Sequence, residues 1–78
     1  MFLDLSELEV GVVAQVVCIS GGAHLYRQRL FAAGVRPGAT CQVIQRAPLG
    51  DPLKVLLDAH EIALRADEAK IVQVEVLT

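Results

Sequence analysis

Between Leu25 and Gly38 the chain carries one short helix and the residues needed to stop it. Tyr26, Leu30 and Ala33 fall at i, i+4 and i+7, the spacing that lines one face of a helix. Gly34 follows where helices often end in a left-handed residue, because glycine has no Cβ to clash there. Val35 can then fold back onto the last turn, and Pro37 prevents the helix from resuming. Pro37-Gly38 reads as a turn that sends the chain into a strand at Ala39. Sequence on both sides of this segment has the two-residue period of β-structure. The expected architecture is one helix plugging a small, mainly β body.

The strands are expected in sequence order. Leu3 to Leu8 offers Asp4 or Ser6 as a helix cap but too few residues for more than one turn. Val12 to Ile19 is rich in β-branched residues and reads as a first strand, buried on both faces for part of its length. Ala39 to Ala47 is the second, with Cys41, Val43 and Gln45 on the face better suited to the core. Ala47-Pro48-Leu49-Gly50-Asp51-Pro52 is a loop stiffened by two prolines, with Leu49 at its tip. Leu53 to Asp58 and Glu61 to Arg65 follow, joined through Ala59-His60, with Ile62 and Leu64 inward. Asp67-Glu68-Ala69 predicts a single helical turn. Ile71 to Val76 ends the body, with Val72, Val74 and Val76 inward. Five short strands with tight connections favour a closed or nearly closed barrel, since closure removes sticky edges.

At 78 residues the chain is expected to form one domain, and 54% of its residues are hydrophobic. So small a domain has little interior, and some apolar side chains should remain outside, where a contiguous patch marks a partner site. The net charge is −2, but the charges are segregated. Asp4, Glu7 and Glu9 stand at the start without a base, while from Val10 to Gly50 the only charged residues are Arg27, Arg29, Arg36 and Arg46. The helix and its turn are thus a cationic segment on an acidic chain, suited to an acidic protein partner or an anionic lipid surface. Aromatic residues make up 4% of the chain. With so few stacking groups and a negative balance, nucleic-acid binding is the weaker reading. No basic leader is present, and no run approaches the ~20 apolar residues that cross a bilayer, so a cytoplasmic location is expected.

Cys18 and Cys41 lack the spacing of metal or redox motifs and sit in apolar strand patterns, where a thiol behaves as a small hydrophobe. His24 and His60 lie in different loops, and His60-Glu61 is the only adjacent histidine–carboxylate pair. Nothing assembles a nucleophile, a base and an orienter, so neither catalysis, nor a cofactor, nor a resident metal is expected.

Three segments in order bear on family. Arg29-Leu30-Phe31-Ala32-Ala33-Gly34-Val35-Arg36-Pro37-Gly38 is similar to an Arg-Leu, Gly, Pro-Gly signature. Ala47-Pro48-Leu49-Gly50-Asp51-Pro52 is the second. Ala63 to Val74 is similar to a Leu-Arg, Glu-Ala, Ile and Val pattern. Together they resemble the FeoA proteins of bacterial ferrous iron transport and the related C-terminal domain of iron-dependent regulators. His60 departs from the pattern, which commonly has glycine or another turn former there. The resemblance implies a five-stranded SH3-like barrel with one short helix between the first and second strands. It also implies a cytoplasmic accessory that binds and modulates the ferrous iron permease, a membrane protein with a G-protein domain. A nucleic-acid-binding barrel and a metal-dependent, self-associating iron sensor are the alternatives.

The residues expected to contact the partner are Leu25, Tyr26, Arg29 and Leu49. Leu25 lies about 100° from Tyr26 on the helix, so the two cannot be equally central to the core, and Leu25 should be exposed beside Arg29. Arg29 and Arg65 are expected to pair with Asp51, Asp67 or Glu68.

Overall fold

The structure, a computed structural model, describes residues 1–77. The mainly β body has six antiparallel strands: β1 (Phe2–Asp4), β2 (Val13–Ile19), β3 (Thr40–Arg46), β4 (Leu53–Leu57), β5 (His60–Leu64) and β6 (Val72–Val76). Helix α1 (His24–Ala32) joins β2 to β3, and the single turn α2 (Ala66–Ala69) joins β5 to β6. The strands run β1-β6-β2-β3-β4-β5 across one sheet, with β1 and β5 at its ends. Ala14, Val16, Cys41, Val43, Leu53, Val55, Leu57, Leu64, Val72 and Val74 point from the sheet into one core. Leu5 and Leu8 close it from the N-terminal side, and Leu30 and Val35 from the helix side.

The expected count was five strands, and β1 is the addition. It is three residues long, and its register Phe2↔Glu75, Leu3↔Val74 and Asp4↔Gln73 pairs the two ends of the chain. Nothing local marks so short a strand; its partner makes it one. The expected helical turn after it is present at Leu5–Glu7. Asp4 caps this turn, its carboxylate accepting the Ser6 N–H at 3.0 Å while Glu7 Oε1 accepts the Asp4 N–H at 3.2 Å.

Helix α1 stops as its sequence requires. The Gly34 N–H donates to the Phe31 carbonyl at 3.0 Å and the Val35 N–H to the Leu30 carbonyl at 2.9 Å, with Gly34 at φ +97°. This double closure satisfies the last carbonyls of the helix and turns Val35 inward. Arg36 to Ala39 is then a tight turn, the Ala39 N–H reaching the Arg36 carbonyl at 3.1 Å. The turn docks on β2, where the Val16 carbonyl accepts the Gly38 N–H at 2.8 Å. Ala33 is not on the packed face as expected: it caps the helix and is exposed, leaving Leu30 as the one buried residue of α1.

Two register shifts correct the expected faces. In β2 the pairing with β6 slips between Val16 and Cys18, so Val17 and Cys18 are both exposed rather than buried. In β3 the slip between Val43 and Gln45 turns Gln45 outward, although it shares parity with Cys41 and Val43. A bulge inserts one unpaired residue and reverses the alternation beyond it. Arg46 is drawn inward, and its Nη2 donates to the Ser6 carbonyl at 2.9 Å and also to that of Leu8.

The β4–β5 connection is Asp58-Ala59, one residue earlier than expected, because Leu57 pairs with His60. Asp58 adopts φ +52°, which a short polar side chain tolerates. It is tied to β3: its N–H donates to the Thr40 carbonyl at 2.8 Å, and its Oδ1 accepts the Thr40 N–H at 3.0 Å. His60 is therefore a strand residue, and no glycine is required there.

Candidate functional surface

With Leu30 directed at the core, successive residues of α1 are placed around the axis at about 100° intervals. Leu25 and Arg29 lie about 40° apart on one flank, while Arg27 and Phe31 lie together on the other. Tyr26 is half-buried beside Leu30. Leu25 is 63% exposed and Phe31 53% exposed, so both flanks carry a large apolar side chain into solvent.

The Arg29 flank faces α2. Arg29 Nε is 3.4 Å from Glu68 Oε2, and Glu68, only 2% exposed, is the sole charged residue in the buried set. Its other oxygen accepts the Arg65 N–H at 2.9 Å, holding the start of α2. The Ala66 N–H at the same end donates to Asp51 Oδ1 at 3.0 Å. Orphan donors at the mouth of a single helical turn have no backbone partner within it, and two carboxylates supply them, Glu68 from inside the turn and Asp51 from the proline loop.

Asp51 belongs to the proline loop. Within that loop the Gly50 N–H donates to the Ala47 carbonyl at 2.7 Å, and the Ala47 N–H to that of Pro52 at 3.2 Å. The turn so closed lifts Leu49 off the body, where it is 96% exposed. The contacts therefore run from Asp51 through α2 to Arg29. Asp51, Pro52 and Arg65 line a shallow hollow of about 270 Å³ along this path.

Of the expected residues, Leu25, Arg29 and Leu49 are exposed, and Tyr26 is half-buried. The expected pairing for Arg29 falls on Glu68. Arg65 meets Glu68 through its backbone, and among the described residues its guanidinium forms no ion pair. Two features were not anticipated, namely the exposure of Phe31 and the burial of Glu68. Phe31 was legible, since it follows Leu30 by one residue and so lies a quarter-turn from the core. The burial of Glu68 was not, because its partners come from α1 and from the residue before α2.

Cys41 is buried at the β3 core face, and burial, then the nearby Asp58 carboxylate, pushes its thiol up to about 11. Cys18 is exposed at the β2 bulge. His60 and Glu61 are consecutive strand residues and project to opposite faces of the sheet. Among the described residues no three His, Cys, Asp or Glu side chains gather as metal ligands do. No helix there is long and apolar enough to cross a membrane.

A six-stranded antiparallel sheet of this size folded round one core, with a capped helix between two of its strands, is the build of an SH3-like domain. A family profile for the FeoA domain matches residues 3–76, and the chain belongs to that family. The chain is 34% identical over 76 residues to an Fe(2+) transport protein A/Fe(2+) transporter FeoB fusion protein of Porphyromonas gingivalis, matching 97% of this chain but 9% of the fusion. Among solved structures, an iron uptake regulatory protein (FeoA) is 38% identical with a TM-score of 0.87, over 99% of this chain and 100% of that one. FeoA of Stenotrophomonas maltophilia, solved with zinc and described as a procaryotic SH3 domain protein, is 30% identical with a TM-score of 0.81 over 94% and 89%. The fold is shared further, with IdeR of T. acidophilum at a TM-score of 0.84 and 21% identity, over 96% of this chain and 34% of that one.

Proposed function

We propose that this chain is a non-catalytic cytoplasmic accessory of ferrous iron transport that binds the iron permease and modulates it. The observation that carries the reading is the Porphyromonas gingivalis fusion, in which a domain similar to this one shares a chain with the transporter. Joining two modules on one chain makes their contact intramolecular and raises its effective concentration, a gain only if they act together.

Contact is made by Leu25, Tyr26, Arg29 and Leu49. Leu25 and Leu49 are the apolar anchors, Tyr26 lies half-buried beside Leu30, and Arg29, half exposed while it pairs with Glu68, sets orientation against an acidic group of the permease. Such a surface suits docking because apolar anchors gain from leaving water while a rim cation selects the partner.

The test is co-purification of the permease with Leu25→Glu and Leu49→Glu variants, each shown to be folded by circular dichroism. Loss of the permease from folded variants is the expected result. Retention at the wild-type level by both variants would overturn this surface.

A further inference from the structure

The molecule has a second apolar site, at the opposite charge extreme from α1. Where β1, the turn after it and the start of β2 meet, a groove of about 390 Å³ opens. Leu3, Leu8, Val12 and Val76 form its apolar lining, and Met1 stands at its edge. Glu7 and Glu9 complete the lining, both exposed. Glu9 makes no ion pair among the described residues, and Glu7 uses one oxygen to cap the turn at Asp4. The groove thus offers a greasy floor with carboxylates in water at its rim.

The matching chemistry is on the same chain. Phe31 and Arg27 are one helical turn apart on the flank of α1 turned away from α2. Phe31 is more than half exposed, and Arg27 forms no ion pair among the described residues. An aromatic anchor beside a free guanidinium is the complement of an apolar groove beside a free carboxylate. Arg29 and Arg36 on the same segment already face Glu68 and Asp58, so Arg27 is the cation left over.

We propose that a second copy of this chain occupies the groove, inserting Phe31 between Leu3, Leu8 and Val76 and setting Arg27 against Glu9. The surface given by one copy differs from the surface that receives it, so the contact repeats along a row of copies or is exchanged reciprocally within a two-fold pair. In either arrangement the association grows with concentration. It uses the Arg27–Phe31 flank of α1 and leaves Leu25, Arg29 and Leu49 uncovered. It is therefore independent of the permease-docking reading.

Sedimentation velocity on the purified chain, without permease, tests it. The mean mass should rise with concentration, and the association should weaken near 1 M salt, where the screening length is only about 3 Å, as far as the Arg27–Glu9 pair contributes to it. A chelator should have no effect. Arg27→Glu and Glu9→Lys, both at exposed positions, should each weaken association about tenfold or more, and Phe31→Ser likewise. The double variant Arg27→Glu/Glu9→Lys restores opposite charges and should recover most of the loss. A chain that stays monomeric at every concentration overturns the proposal, as does association that requires a metal. Association unchanged by the single reversals, or not recovered in the double variant, also overturns it.

Discussion

Arg29 on α1 and Glu68 on α2 join an exposed guanidinium to a buried carboxylate, with Nε and Oε2 3.4 Å apart. The pair links the helix that leaves β2 to the single turn that precedes β6. Because Glu68 also accepts the Arg65 N–H, its carboxylate serves two elements at once.

Glu68 should therefore respond differently to two substitutions. Glu68→Gln keeps a carbonyl oxygen for the Arg65 N–H and loses only the half-exposed ion pair, costing about 1 kcal/mol or less. Glu68→Ala also strands the donor and should cost about 1–3 kcal/mol. Urea denaturation of both variants separates the two contributions; equal losses would show that the ion pair dominates.

Leu30 and Phe31 are neighbours with opposite environments, one buried and one exposed. Leu30→Ala removes the only fully buried side chain of α1 and should cost ~2–5 kcal/mol through the cavity it leaves. Phe31→Ala should change stability by no more than about 0.5 kcal/mol. The denaturant midpoints measure both.

Gly22 and Gly34 both adopt positive φ, but in different surroundings. A Cβ on Gly34 would meet nothing closer than Leu57 Cδ2 at 3.5 Å, so Gly34→Ala carries only the backbone cost of about 1–2 kcal/mol. A Cβ on Gly22 would lie 2.7 Å from Ile71 Cδ1, so Gly22→Ala should cost more. Ile71→Val removes that methyl and should recover part of the difference, which a double-mutant cycle by thermal unfolding would read.

Cys41 makes stability fall at alkaline pH. Its thiol is pushed from 9.0 up to about 11 in the fold, so the unfolded chain loses its proton first as pH rises. The stabilisation from the neutral buried thiol is complete below about pH 9 and is lost as pH climbs towards 11, a change of roughly 2–3 kcal/mol. Cys41→Ala should flatten this part of the profile. A thiol reagent at pH 8 should modify the exposed Cys18 rapidly and Cys41 only on unfolding.

Features governed by near neighbours were legible in the chain. Gly34 and Pro37-Gly38 end α1 and turn it, because φ preference and a missing N–H are properties of the residues themselves. The alternation of Val72 and Val74 placed both inward, and the prolines on either side of Leu49 predicted its exposure. Features set by a distant partner were not legible. Phe2–Asp4 is a strand only because β6 lies beside it. The slip after Val43 that turns Gln45 out, and that after Val16 that exposes Cys18, arise in pairing with other strands. Arg46 points inward because carbonyls of Ser6 and Leu8, nearly forty residues earlier, end there without partners in their own turn.

The same division holds for the surface. Residue types and helical spacing by themselves determined that a cationic, partly apolar helix would show one flank to water. Only the folded chain decided that Arg29 would be engaged by Glu68 while Arg27 stayed free, and that Glu7 and Glu9 would rim a groove. Local conformational preference acts over a few bonds, whereas charge pairing and burial act through space between segments that the chain itself keeps far apart.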